Sequence, residues 1–197
     1  MTDSQSHAVI ELSRFRAQLS RALQRRGKRL LESPEQITAL APLEAYFMIK
    51  ELGVGDAGPL LLQVSGEQLR TFVDLDCWKG DQPDIVEIDA WLAPFAALGA
   101  EALARAFLSL DLELQVLVLA ESLHIHDAGD EEPPEPSPGA PRSTTPDRYF
   151  IIDAMAADER EVHPFRLVEA LYAHDVNEAF RLLTAARAEL RSPLEEE

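Results

Sequence analysis

Helix-starting and helix-stopping residues punctuate this chain at short intervals, and between them apolar residues recur at spacings of three and four. That pattern leaves room for little except a series of short helices packed on one another. From Ala8 to Leu31 the residues Leu12, Phe15, Leu19 and Leu23 share one helical face, and Gly27 weakens the helix near its end. Ser33-Pro34 opens a second helix, with a hydroxyl before a proline at the first helical position. Pro42 starts a third, which Gly53 is placed to end. Asp56 caps a short helix to about Val64, and Ser65 caps another to about Asp76.

Residues 79–84, KGDQPD, read as a loop. Helical spacing resumes over Ile85 to Leu98, with a kink expected at Pro94, and again over Ala100 to Leu108 and Asp111 to Leu123. The last of these is apolar on most sides, which predicts a place in the middle of the core. His163-Pro164 opens a helix to about Ala173, and Asp175 caps a final one to about Arg191.

One stretch breaks the helical pattern. His124 to Asp127 and Tyr149 to Asp153 alternate in polarity, which predicts two short strands paired as a hairpin. Between them the chain is acidic and proline-rich, and such a segment buries too little apolar area to offset its ordering entropy. The expected fold class is therefore mainly α: stacked helical hairpins, solenoid-like, with a small β-hairpin and a C-terminal helix pair. The expected organisation is a basic amphipathic helix over 1–31 and a helical-repeat core over 32–127. A disordered loop follows over 128–147, then a strand and helix pair over 148–197 that pack on the core.

An internal repeat fits that architecture. SPEQITAL begins at Ser33, SGEQLRTF at Ser65 and GAEALARAF at Gly99, with offsets near the period of helical-hairpin solenoids. The same likeness also arises if helix starts resemble one another because capping chemistry is shared.

Charge narrows the partners. The chain carries 35 acidic and 18 basic residues, a net charge of -17, so it repels nucleic acid as a whole. Residues 1–31 run against this, with seven Lys or Arg and two Asp or Glu; the remainder has 11 basic and 33 acidic. A basic amphipathic helix can bind an anionic surface or dock on the acidic body of its own chain. Docking through Leu12, Phe15, Leu19 and Leu23 is expected, with Arg14, Arg21, Arg25 and Lys28 near acidic or solvent-facing surface. A single cysteine, Cys77, excludes an internal disulfide and fits a reducing compartment. No basic-then-apolar leader and no long apolar run occurs, so a cytoplasmic location is expected, away from membranes.

The run LAPLEAYFMIKELGVGDAGPLLLQVSGEQLRTFVDLDCWKGD resembles a segment of an uncharacterised bacterial family known mainly from delta-proteobacteria and myxobacteria. Its pattern of LIKELG, DLD-W and a later WL pair is met here by MIKELG, DLDCW and Trp91-Leu92. The resemblance spans roughly Leu30 to Asp127. It implies no activity and no catalytic residues, since none is established for that family. Its members continue past an acidic motif like Leu194-Glu195-Glu196-Glu197 into further helices, so a short relative and the N-terminal part of a longer one both fit. By helix pattern alone the chain is also distantly similar to the helical superhelix of magnesium-transporter N-terminal domains.

Three groups of residues offer chemistry, each with a plainer reading beside it. His124 and His126 would project from one face of a strand, as two metal ligands can, or stand as half-exposed histidines on a sheet edge. Asp74, Asp76, Asp81 and Asp84 surround Cys77-Trp78 at a density that suits a divalent cation, yet without the spacing of a calcium loop. Cys77 has acidic neighbours, which oppose a reactive thiolate. No nucleophile elbow, phosphate-binding glycine loop or zinc-protease motif occurs. The expectation is a non-enzymatic protein-interaction or scaffold module with a protein partner, no cofactor, no bound metal and no small-molecule substrate. The alternative is a regulatory domain that senses a divalent cation through the clustered carboxylates.

Overall fold

The structure, a computed structural model, describes residues 3–129, 135–136, 139–155 and 160–191, with side chains from residue 14 to residue 189 within those ranges. The chain is mainly α-helical. It divides into two compact units, residues 1–72 and 73–197.

In the first unit, α1 (Asp3–Leu30) is followed by a 3-10 helix (Pro34–Ala39), α2 (Pro42–Leu52), α3 (Gly58–Leu61) and the start of α4 (Gly66–Asp76). Helices α1 and α2 approach closely at Gly27, where an added Cβ would lie 2.7 Å from Leu52 Cδ1. The glycine that weakens the helix thus admits the neighbouring one. Ser20 Oγ donates to Glu51 at 2.5 Å, Gln24 Nε2 donates to the Glu51 carbonyl at 3.2 Å, and Arg26 pairs with Glu44. Gly53 ends α2 at φ +89°, in the region that favours glycine. Ile37, Met48, Ile49, Leu60, Leu61, Leu69 and Phe72 form the core of this unit.

The segment at Ser33 opens a six-residue 3-10 helix whose serine makes no side-chain cap. At Ser65 a capping box forms: Gln68 N donates to Ser65 Oγ at 3.1 Å, and Ser65 N donates to Gln68 Oε1 at 2.9 Å. Gln68 Nε2 then donates to the carbonyls of Ile37 and Leu40 at 2.8 and 3.0 Å. One buried amide therefore satisfies the end of the 3-10 helix and the start of α4 together. Asp56 does not cap α3; Ala57 precedes it.

The second unit carries the rest. A two-residue ribbon, β1 (Trp78–Lys79) and β2 (Gln82–Pro83), replaces the loop expected over 79–84. Helices α5 (Ile85–Leu98) and α6 (Ala100–Leu108) make a hairpin around Gly99. The C-terminal pair α8 (Pro164–His174) and α9 (Val176–Arg191) makes another. Helix α6 lies against α8, while α7 (Leu112–Ser122) lies against α9, so the hairpins stack. Asp175 Oδ1 caps α9 as expected, accepting from the backbone of Asn177 and Glu178 at 2.8 and 3.0 Å. Helix α7 buries Leu114, Gln115, Val118 and Leu119 but leaves Leu112 57% exposed, so it is a two-sided helix and not fully enclosed.

The expected strand pair forms. Strand β3 (Leu123–Asp127) runs antiparallel to β5 (Phe150–Ala154), with His124 opposite Asp153. A third strand, β4 (Arg142–Thr144), pairs with the far edge of β5. It lies inside the stretch expected to be disordered, and Arg142 reaches Asp153 across that edge. Residues 130–134 and 137–138 of the expected loop lie outside the described residues.

Candidate interaction surface

Helix α1 meets α2 through Ser20, Leu23, Gln24 and Gly27, and this choice of face turns its apolar stripe outward. Phe15 is 62% exposed and Leu19 49%, and only Leu23 is half-buried. The expectation that the stripe docks on the chain's own body through Phe15 and Leu19 is therefore corrected. Leu12 lies outside the described side chains. The sequence shows which residues share a face; it does not show whether a neighbour covers that face.

Helix α2 also leaves apolar residues exposed. Its inner face buries Ala45, Met48 and Ile49, while Leu43 and Phe47, four residues apart, stand 51% and 48% exposed. Between the two helices runs a groove of about 580 Å³ lined by Ala17, Leu19, Leu23 and Phe47, with Arg16, Glu44 and Glu51 at its margins. Glu44 is paired with Arg26, and Glu51 accepts from Ser20. From residue 14 to residue 30 the helix carries seven basic side chains and no acidic one. Arg14, Arg16, Arg21 and Arg25 are exposed. The signal that would have found the α2 half is the Leu43/Phe47 pair lying opposite an already apolar inner face.

A smaller apolar groove of about 380 Å³ lies between α7 and α9, lined by Leu112, Val116, Phe180, Ala185 and Ala188.

The histidine pair separates in role. His124 is exposed, whereas His126 Nε2 lies 3.2 Å from Asp153 Oδ2. Arg142 clamps the same carboxylate, Nε to Oδ1 at 2.6 Å and Nη2 to Oδ2 at 2.8 Å. The Arg142 guanidinium, and His126 after it, hold the Asp153 carboxyl below the usual carboxylate range although burial pushes the other way. An Asp-oriented histidine is half of a nucleophile relay. No described hydroxyl or thiol hydrogen-bonds to His126. Asp153 is instead the polar centre of the sheet, joining β3, β5 and β4.

The aspartates near Trp78 do not converge. Asp76 accepts from Trp91 Nε1 at 3.1 Å, and Lys79 pairs with Asp84 at 2.7 Å and holds its carboxyl below the usual range. Asp74 and Asp81 face solvent. Among the described residues no group of three or more His, Cys, Asp or Glu side chains is placed to hold a metal ion. Cys77 is buried, Trp78 is 39% exposed, and His163 caps α8 by accepting from Phe165 N at 3.2 Å. His174 lies 3.3 Å from Glu101. Among the described residues no helix is long and apolar enough to cross a membrane.

Comparison with known proteins places the chain without supplying an activity. No curated protein and no solved structure matches it. The model of one family, described as a family of unknown function, matches residues 4–197. The chain belongs to that family, DUF6178.

Proposed function

We propose that this chain is a non-enzymatic protein-interaction module of the cytoplasm, and that the outer face of the α1–α2 pair is where its partner binds. One observation carries the reading. Leu19 and Phe47, about half exposed, line one groove, and Phe15 and Leu43 stand exposed on the same two helices, while the other large apolar residues described in this unit are buried or half-buried. Exposed apolar side chains scattered singly are ordinary; gathered around a groove and rimmed by charge they mark a recognition surface. Aromatic anchors in a groove are the residues that dominate binding energy in protein interfaces.

The test is co-purification from the native host, with the intact chain and its Leu19→Asp variant compared by quantitative mass spectrometry and thermal melting. The proposal expects a specific protein to be recovered with the wild type, to be lost with Leu19→Asp, and the melting temperature to stay put. Equal recovery with both chains, or a variant that unfolds, contradicts it.

A further inference from the structure

The two-residue ribbon of the second unit gathers an exposed indole, two exposed aliphatic side chains and a set of carboxylates. We infer that this ribbon is a second docking surface, and that it takes an arginine- or lysine-bearing segment of a protein partner. The inference goes beyond the α1–α2 reading and stands on different residues.

The apolar patch comes first. Trp91 is fully buried, and its indole N–H is donated to Asp76. Trp78, opposite Pro83 in the ribbon, is exposed, and its indole makes no hydrogen bond and no ring contact with another described residue. Cys77 N donates to the Val73 carbonyl at 2.9 Å, which carries the helical turn of α4 past Leu75. Asp84 N donates to the Cys77 carbonyl at 2.8 Å, which brings the start of α5 back to the end of α4. Leu75 and Val86, each more than half exposed, stand two residues to either side of that closing bond. Covering such a patch is favourable, and tryptophan is among the residues most enriched at the energetic centres of interfaces.

Charge selects the occupant. Residues 70–87 carry five acidic side chains and two basic ones, Arg70 and Lys79. Lys79 is already paired with Asp84 at 2.7 Å. Asp81, exposed in the turn of the ribbon, and Glu87, in the first turn of α5, make no ion pair with another described residue. These carboxylates do not converge on a point, as an ion would require; spread along the segment that holds Trp78, they rim the patch with negative charge. The wider field has the same sign, since residues 73–197 carry 27 acidic and 9 basic residues. A cationic side chain gains from the aromatic ring and from the carboxylates together. An acidic segment or anionic lipid is opposed by the rim and by the body alike. A free polyamine has the charge but no apolar groups to cover Leu75 and Val86, and a second copy of the chain brings its own net charge of -17.

The experiment uses the full chain and a fluorescein-labelled peptide of about 12 residues in which arginine and leucine alternate. Its twin carries glutamate in place of arginine. Fluorescence anisotropy should show binding of the arginine peptide and not of the twin. Trp78→Ala leaves the net charge unchanged and should weaken binding by about tenfold or more. Tyr149→Ala, at an exposed aromatic elsewhere in the same unit, should leave it unchanged. Asp81→Lys should weaken it several-fold and flatten its salt dependence. A second measurement needs no variant. Acrylamide quenching of tryptophan emission in the wild type reads Trp78, because Trp91 is fully buried, and the unlabelled arginine peptide should shield it. Equal binding by wild type and a folded Trp78→Ala overturns the inference, since attraction to net charge alone would then account for the peptide. Quenching unchanged at saturating peptide overturns it too, as does equal shielding by spermine. A concentration-dependent dimer in sedimentation velocity that Trp78→Ala abolishes also overturns it, because the occupant would then be a second copy.

Discussion

Arg160→Met should destabilise the second unit more than any surface change in it. The Arg160 and Asp89 side chains are 5% and 3% exposed, and the guanidinium meets both carboxylate oxygens, with Nη2 to Oδ1 at 2.8 Å. It also donates to Ser122 Oγ at 2.7 Å, so one side chain ties the segment before α8 to α5 and to the end of α7. Methionine keeps the bulk and removes the charge, which leaves Asp89 enclosed, among the described residues, with the Val162 N–H at 3.5 Å. Breaking a buried pair in this way costs about 3–5 kcal/mol. For a chain of this size each kcal/mol moves Tm by about 2–4 °C, so the expected fall is roughly 6–20 °C. Both tryptophans, Trp78 and Trp91, lie in this unit, so tryptophan fluorescence during urea denaturation follows it. The double variant Asp89→Leu/Arg160→Met should recover most of the loss, because a buried ion pair and an apolar pair of like volume are close in stability. A single variant within about 1 kcal/mol of wild type would refute the enclosure of this pair.

Further outcomes follow from the same geometry. Gln68→Leu removes the half of the capping box that Oε1 supplies and orphans the Ile37 and Leu40 carbonyls, and should cost about 2–4 kcal/mol by thermal or chemical denaturation; a loss under about 1 kcal/mol would mean water replaces the amide. Asp153 has a depressed folded pKa, so its contribution is present above the ordinary unfolded carboxyl value near about 3.9 and is lost as pH falls through the folded value. The stability gap between wild type and Asp153→Asn should thus be steady at neutral pH and close below about pH 4; a gap unchanged into strong acid would contradict the clamp by Arg142. Melts with magnesium, calcium or zinc should show only general charge screening, and a saturable rise with one cation would revive a carboxylate site near Trp78.

Much of the fold was legible because its punctuation is local. Gly99 separates α5 from α6, Pro42 and Gly53 bracket α2, and Asp175 caps α9, each through chemistry confined to a few residues. What was not legible depended on distant partners. Strand β4 has no apolar alternation of its own; it is held by pairing with β5 and by Arg142 on Asp153. The 3-10 helix at Pro34 reads like an α-helix start, and its end is satisfied by Gln68 about thirty residues on. The candidate surface was half legible. Periodicity identified the stripe of α1, but Ser20, Gln24 and Gly27, with Leu23 alone from the stripe, face α2.

The most direct test of the central claim is site-specific photocrosslinking in the native host, with a benzophenone amino acid in place of Leu19 and, as a control, in place of exposed Glu67. The account predicts a discrete crosslinked protein adduct from position 19 and none from position 67. Adducts only within the chain itself, or to lipid, or alike from both positions, would contradict the claim that the α1–α2 face is where a protein partner binds.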